Sequence, residues 1–344
     1  MRFWPYSRNG KPKQFLDVLG IGKTLLQMTY ERFIPICPKE NIYVVTHEEH
    51  VDLVKEQLPG INDDQIIREP VRKNTAPCIG YASYKILRRN KKAVLVVSPS
   101  DHLIMNEKEF YAVVEKAVKK ARGQDILITL GINPTRPDTG YGYIQFIPDR
   151  KFIKKVKTFT EKPQLSLAKT FLESGDFVWN SGIFIWNVNA IIKAFEKYLP
   201  EMAEVYEEVK SSFDTEGERE AIRNAYTQFR NISIDYGVME KASNVFVCHG
   251  DFTWSDLGSW TTIHEKSTKD NNNNMISGRA LVYETRNSII KMSSSNVLMV
   301  VQGLNGYLVG EFGNVIIVCE KDREDQFRKF VSDVKTLQSG TEFL

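Results

Sequence analysis

Two aspartates stand where a chain can present a carboxylate. Asp101 lies in "VVSPSDHLI", at the end of an apolar strand and a proline turn. Asp256 lies in "FTWSDLGSW", between aromatic and glycine neighbours and ahead of a helix. Taken alone, each reads equally well as a helix N-cap. If they converge they suit Mg2+, which takes one or two carboxylates and completes its shell with phosphate oxygens and water. The chain opens on a cationic segment, in which Arg2, Arg8, Lys11 and Lys13 interleave with Phe3, Trp4, Tyr6 and Phe15. "TEKP" ends a strand with Glu161 beside Lys162, which point to opposite faces if the strand stays regular. A lysine there suits a phosphate and a glutamate suits a hydroxyl. "DTGYGYI" sets Gly140 and Gly142 among tyrosines, where backbone can approach a ligand or form a β-bulge. "WNSGIFIWN" puts Asn180 at the start of an apolar strand, and a simple turn explains it about as well.

Two other stretches mimic known motifs. "GIGKT" hints at a phosphate loop, but Asp17 occupies the position of its first glycine and no strand precedes it. A helix starting at Lys23 or Thr24 is the better reading. "HEEH" has His47 and His50 three apart, the wrong spacing for a zinc helix, and reads as the solvated first turn of a helix. No GxSxG and no Cys/His pair suggest covalent catalysis.

The elements that must position these residues follow an alternating pattern. "IYVVT", "QIIRE", "AVLVVS" and "DILITLG" read as strands, with helical stretches between them. Asn74 or Thr75 is the N-cap of one such helix, with Pro77 in its first turn. The pattern predicts an α/β fold with a doubly wound, parallel or mixed sheet, where ligands bind at the carboxyl ends of strands. That rule selects Glu69 and the stretch 98–101. Further strands and helices run to about residue 260, and residues 1–266 are expected to form this domain. "STKDNNNNM", residues 267–275, reads as a polar linker or long loop, and 276–344 as a small β-rich domain ending in a helix, with no clear repeat.

Composition narrows the function. A net charge of +3 is too near neutral to argue for nucleic acid or an anionic membrane. The cysteines Cys37, Cys78, Cys248 and Cys319 are isolated, which excludes a CxxC pair or metal knuckle and fits a reducing cytoplasm. No apolar run follows Met1 or approaches membrane-spanning length, so neither export nor insertion is expected.

In order, "RFWPYSR…KPKQFL", "EPVRKNTAP", "PSDHLI", "DTGYGYI", "EKP", "WNSGIFIWN" and "FTWSDLGSW" resemble the mannose-1-phosphate guanylyltransferases among the sugar nucleotidyltransferases. The likeness runs nearly end to end. It implies a Rossmann-like nucleotidyltransferase domain and the short form of the family, with a β-helix-like tail and no isomerase domain. It implies transfer of GMP from GTP to mannose 1-phosphate with Mg2+ as cofactor, in a cytoplasmic protein, and a homodimer. By motif, Arg2 and Lys13 contact the GTP phosphates, with Arg8 assisting. Asp101 and Asp256 hold Mg2+, and Lys162 meets the sugar phosphate. Glu161, Asn180 and the backbone near Gly142 bind sugar hydroxyls. Glu69 and Asn74 lie on the nucleotide. Related thymidylyl- and uridylyltransferases place Gln before the proline; Glu69 would instead accept both donors of guanine. Members of the family also carry a strand and a GGxGxR turn ahead of "FWPxSR", of which only Arg2 stands here. The expectation is an incomplete product, or else a natural short form, lacking a central strand. A catalytically inactive GDP-mannose-binding regulator, or an enzyme for another hexose 1-phosphate, is the alternative.

Overall fold

The computed structural model describes residues 3–323 and 325–344. The chain divides into two compact units. One comprises 32–99 and 104–254; the other comprises 1–31, 100–103 and 255–344.

The larger unit holds the alternating strands. Strands β1 (Val44–His47) and β2 (Ile66–Glu69) form a parallel ribbon. Six more strands follow: β3 (Val94–Val97), β4 (Leu127–Ile132), β5 (Tyr143–Phe146), β6 (Ile153–Thr160), β7 (Phe177–Asn187) and β8 (Val245–His249). They make one sheet in the order β3-β7-β4-β8-β6-β5. The sheet is mixed, because the long strand β7 runs antiparallel to β3, β4 and β5, while β4 and β8 are parallel. Among the described residues the β1–β2 ribbon shares no ladder with this sheet.

Side-chain alternation gives the sheet two apolar faces. Leu127, Phe184 and Trp186 join one buried cluster with residues of the helices Thr75–Arg89, Val188–Tyr198, Pro200–Val209 and Glu218–Gln228. Their neighbours Ile128, Ile183 and Ile185 join a second cluster with Phe110, Val113 and Val114 of the helix Glu107–Ala121. Helices therefore cover both faces, as the strand–helix alternation predicts.

The smaller unit shares one core between the start and the end of the chain. Phe3, Trp4, Leu16 and Val18 pack with Trp260, Ile289, Leu308 and Phe312. The first residues thus share a compact unit with the C-terminal strands. Strands β9 (Met275–Ser277), β11 (Ile289–Met292) and β13 (Tyr307–Phe312) stack in parallel, as do β10 (Ala280–Tyr283) and β12 (Met299–Gln302). Strand β14 (Val315–Glu320) closes antiparallel on β13.

The coil has a repeat that the sequence hides. Ala280 pairs with Met299 and Ile289 with Leu308, both at an offset of 19 residues. Equivalent corners share left-handed backbone, with φ of 47° at Glu284 and 76° at Gly303, then 51° at Asn287 and 79° at Gly306. One turn uses glycine where the other uses Glu or Asn, so residue identity does not repeat although conformation does. The polar run ends on an anchored residue. Asn274 is fully buried; its Nδ2 donates to Thr285 O at 2.8 Å and its Oδ1 accepts Ser288 N–H at 3.0 Å, capping the first rung.

Candidate functional site

In the smaller unit Lys13 joins the two aspartates. It opens the short 3-10 turn Lys13–Phe15, which Phe15 and Leu16 anchor in the core. Its ammonium donates to Asp101 Oδ2 at 3.2 Å and to the backbone carbonyl of Asp256. Burial alone would push the Asp101 carboxyl up. The charges of Lys13 and His102, with bonds from Lys13 and backbone, more than reverse this and hold it below the usual carboxylate range.

The helix-cap reading fails for both acids. Asn106 caps the helix Glu107–Ala121, and Ser259 caps the helix Trp260–Lys266 by accepting Thr262 N–H at 3.0 Å. Asp256 instead closes a local turn through Gly258 N–H at 3.0 Å. The next residue, buried Leu257, has φ of 45°, a left-handed conformation that a branched side chain rarely adopts and that concentrates at functional sites. Among the described residues no three His, Cys, Asp or Glu side chains could hold a metal ion together. The Asp101–Asp256 pair nevertheless has the donor chemistry that Mg2+ needs when phosphate oxygens and water complete its shell, and a cation, the Lys13 ammonium, already lies against both residues.

Arg2 lies outside the described residues. Arg8 donates to Pro5 O at 3.1 Å, Asn314 Oδ1 at 2.6 Å and Phe312 O at 2.6 Å, so its guanidinium ties the opening segment to the coil. The "GIGKT" loop holds no phosphate cradle. Its Gly20, Ile21 and Gly22 N–H groups close on the Asp17 carboxylate at 2.8, 3.0 and 2.7 Å. The helix begins after Thr24, which exchanges bonds with Gln27.

In the larger unit two groups of candidates gather. The first is the end of β2 and the turn after it. Tyr226 OH donates to Glu69 Oε1 at 2.9 Å. Burial pushes the Glu69 carboxyl up to about 7, against the opposing effects of the Tyr226 bond and the Arg72 charge. Asn74, at φ 70°, caps the next helix by accepting Thr75 N–H at 2.9 Å. His50 is not solvated as the sequence suggests: it is buried, with Nε2 2.8 Å from an Arg72 guanidinium nitrogen.

The second group comes from three strands. Tyr143, at the start of β5, pairs with Thr160 at the end of β6 and with Trp179 in β7. This brings Gly142, Glu161 and Asn180 together, and Asn180 N–H donates to Gly142 O at 2.8 Å. Asn180 lies inside β7 rather than at its start. Its Oδ1 accepts Thr129 Oγ1–H at 3.1 Å and Gly182 N–H at 3.2 Å, which fixes the amide so that Nδ2 donates to Asp235 Oδ1 at 2.8 Å. Lys162 does not point away from Glu161. The strand ends at Thr160, Lys162 turns to φ 45°, and its ammonium folds back onto Glu161 Oε1.

Asp235 is the residue that motif reading misses. It starts a π-helical turn (Asp235–Met239), a geometry frequent at functional sites and invisible in hydrophobic periodicity. The available signal is an acid inside the apolar run "ISIDYGVM". Burial first, then the Glu161 charge, pushes its carboxyl up to about 6. Glu161 and Asp235 thus make a carboxylate pair suited to accepting hydroxyl protons.

Gly142 leaves the room this pair needs. A Cβ there would lie 2.4 Å from Glu161 Oε2, the far end of a flexible side chain. Gly142→Ala is therefore expected to leave thermal stability within about 1 kcal/mol, since that end can swing away. The swing misplaces the acid, so KM for a hydroxylated substrate should rise about 10-fold while nucleotide KM holds. Steady-state kinetics with each substrate varied separately checks this.

Residues 1–273 match the family described as Nucleotidyl transferase. The chain is 34% identical over 342 residues to the xanthan biosynthesis protein XanB of Xanthomonas campestris pv. campestris, covering 97% of this chain and 71% of that protein. It is 33% identical to a mannose-1-phosphate guanylyltransferase of Escherichia coli, covering 96% and 72%. A crystal structure from Thermus thermophilus, described as a mannose-1-phosphate geranyltransferase, superposes with a TM-score of 0.87 at 28% identity, covering 97% of this chain and 96% of that one.

Proposed function

Because the chain belongs to the nucleotidyl transferase family, among the mannose-1-phosphate guanylyltransferases, we propose that it transfers GMP from GTP to mannose 1-phosphate, giving GDP-mannose and pyrophosphate. The nucleophile is the sugar phosphate. A phosphomonoester loses its second proton near pKa ~6, so it is anionic at neutral pH and needs no general base. The work left to the protein is alignment with the α-phosphorus and offset of charge on the departing pyrophosphate.

In this reading Lys13 and Arg2 take the triphosphate, and Lys162 takes the phosphate of mannose 1-phosphate. Asp101 and Asp256 are the residues that would hold Mg2+, which when bound neutralises charge on phosphate oxygens. Glu69 accepts guanine N1–H and the 2-amino group, two donors that a carboxylate can serve together and an amide cannot. Glu161 and Asp235 accept hydroxyl protons of the sugar, and Asn180 holds Asp235 in place.

The observation that supports this most is Lys13, whose ammonium touches both Asp101 and Asp256, residues far apart in sequence that neither cap a helix nor build a core. Pyrophosphate release tests the reading. It should require GTP, mannose 1-phosphate and Mg2+ together, with UTP a poor substitute. A folded protein that binds GDP-mannose yet releases no pyrophosphate would make this a binding protein instead.

A further inference from the structure

One segment of the larger unit touches both groups of recognition acids. At one end Tyr226 OH donates to Glu69 at 2.9 Å; at the other, Asp235 accepts from Asn180 at 2.8 Å, beside Glu161. The helix Glu218–Gln228 stops before this segment's middle, and the π-helical turn starts only at Asp235. Residues 229–234 therefore belong to no regular strand and to neither of these helical elements until Ile234 leads into the turn, and their backbone groups need partners elsewhere.

They find them at the start of the helix Thr75–Arg89, the element that follows Glu69 directly. Lys73 Nζ donates to Phe229 O at 3.0 Å. Ala76 N–H, one of the donors a helix leaves unpaired in its first turn, donates to Ile232 O at 3.1 Å. Ile234 N–H donates to Thr75 Oγ1 at 2.9 Å. Phe229 and Ile234 are buried, so this seam has little access to replacement water.

We infer that the strap 226–235 couples the two recognition sites, with the Thr75 hydroxyl as its positioning group. The inference rests on the reading of Glu69 as the base-binding acid and of Glu161 and Asp235 as the sugar-binding acids. A guanine that donates to the Glu69 carboxylate competes with the Tyr226 hydroxyl for that acceptor and so displaces it. Any shift of Tyr226 or of the 70–75 turn reaches Asp235 through a short path tied at Phe229, Ile232 and Ile234. Coupling of this kind is reciprocal, so each ligand must change the affinity of the other by one common factor.

The probe pair is mannose 1-phosphate and the α,β-methylene analogue of GTP, whose phosphorus–carbon bond the transfer cannot break. Calorimetric titration of the analogue, with and without saturating mannose 1-phosphate, gives the coupling factor. It is expected to be about 5-fold or more in the parent protein. In Thr75→Val, which keeps shape but leaves Ile234 N–H without its acceptor, the factor should fall below about 2-fold, while either ligand alone binds within about 3-fold of the parent. Thr75→Ser should restore it, which a general loss of packing would not do. Tyr226→Phe cuts the other end of the strap and should lower the factor likewise, and it carries the test if Thr75→Val does not fold. A factor of one in the parent, or an unchanged factor in a folded Thr75→Val or Tyr226→Phe variant, overturns the inference. Failure of the parent to bind either ligand would instead overturn the functional reading beneath it.

Discussion

Asp256→Asn is expected to lower kcat about 10²- to 10³-fold, the scale seen when one charge-stabilising group of a transfer site is lost, with the thermal midpoint almost unmoved. The separation follows from the local geometry. The Asp256 side chain closes its turn by accepting Gly258 N–H, and the Asn oxygen can accept the same bond. Lys13 is bound to the backbone carbonyl of residue 256, not to its side chain, so the lysine keeps that contact. What the substitution removes is negative charge. The Mg2+ concentration for half-maximal rate should rise in the variant, and chelation should abolish the activity of the parent enzyme. Asp101→Asn should act in the same direction with an added loss, because Lys13 then faces an amide where it had a carboxylate at 3.2 Å. An Asp256→Asn enzyme with unchanged kcat and an unchanged Mg2+ dependence would remove Asp256 from the metal site.

The parts of this picture that are legible in the sequence are those with short-range causes. Strands such as Val94–Val97 and Leu127–Ile132 stand within a residue or two of where apolar runs put them, because a buried strand has to be apolar along its own length. The Asn74 cap is local too. The convergence of Gly142, Glu161 and Asn180 is not. It depends on β5, β6 and β7 being neighbours in an order the chain does not follow. Local composition marks those three residues and the resemblance gives them a shared role, while periodicity does neither.

What the sequence hides shares a physical cause. The contacts of Arg8 are hidden because guanidinium chemistry serves a backbone carbonyl as well as a phosphate, and only the fold shows that Phe312 O and Asn314 are in reach. Lys162 folds back on Glu161 because a left-handed residue breaks the strand's alternation, and a lysine gives no sequence warning of φ above zero. The 19-residue turn of the C-terminal coil is hidden because Asn287 and Gly306 reach the same conformation with different side chains. Asn and Gly are the two residue types that tolerate that region most easily.

Glu69→Gln carries the second large effect, and its sign differs between function and stability. Burial raises the Glu69 carboxyl to about 7 from an ordinary value near 4.5. An acid raised in this way is held neutral by the fold. Below pH ~4.5 it is neutral in both folded and unfolded chains and costs nothing. As pH rises from there to 7 the unfolded chain ionises first, so stability falls, and above 7 the full cost remains. Glu69→Gln should therefore stabilise the ligand-free protein by about 1–3 kcal/mol at pH 8 and hardly at all at pH 4.5, as chemical denaturation at the two pH values would show. Function should move the other way. Guanine offers two donors, and replacing one carboxylate oxygen by an NH2 sets donor against donor, so the GTP/UTP ratio of kcat/KM should fall about 10- to 100-fold. In the parent protein, GTP should bind more tightly at pH 8 than at pH 6 and should release a proton on binding near pH 6.5, measurable by calorimetry in buffers of different ionisation enthalpy. A Glu69→Gln protein that is no more stable at pH 8 and keeps its GTP preference would show that this carboxyl neither carries the cost of burial nor reads the base.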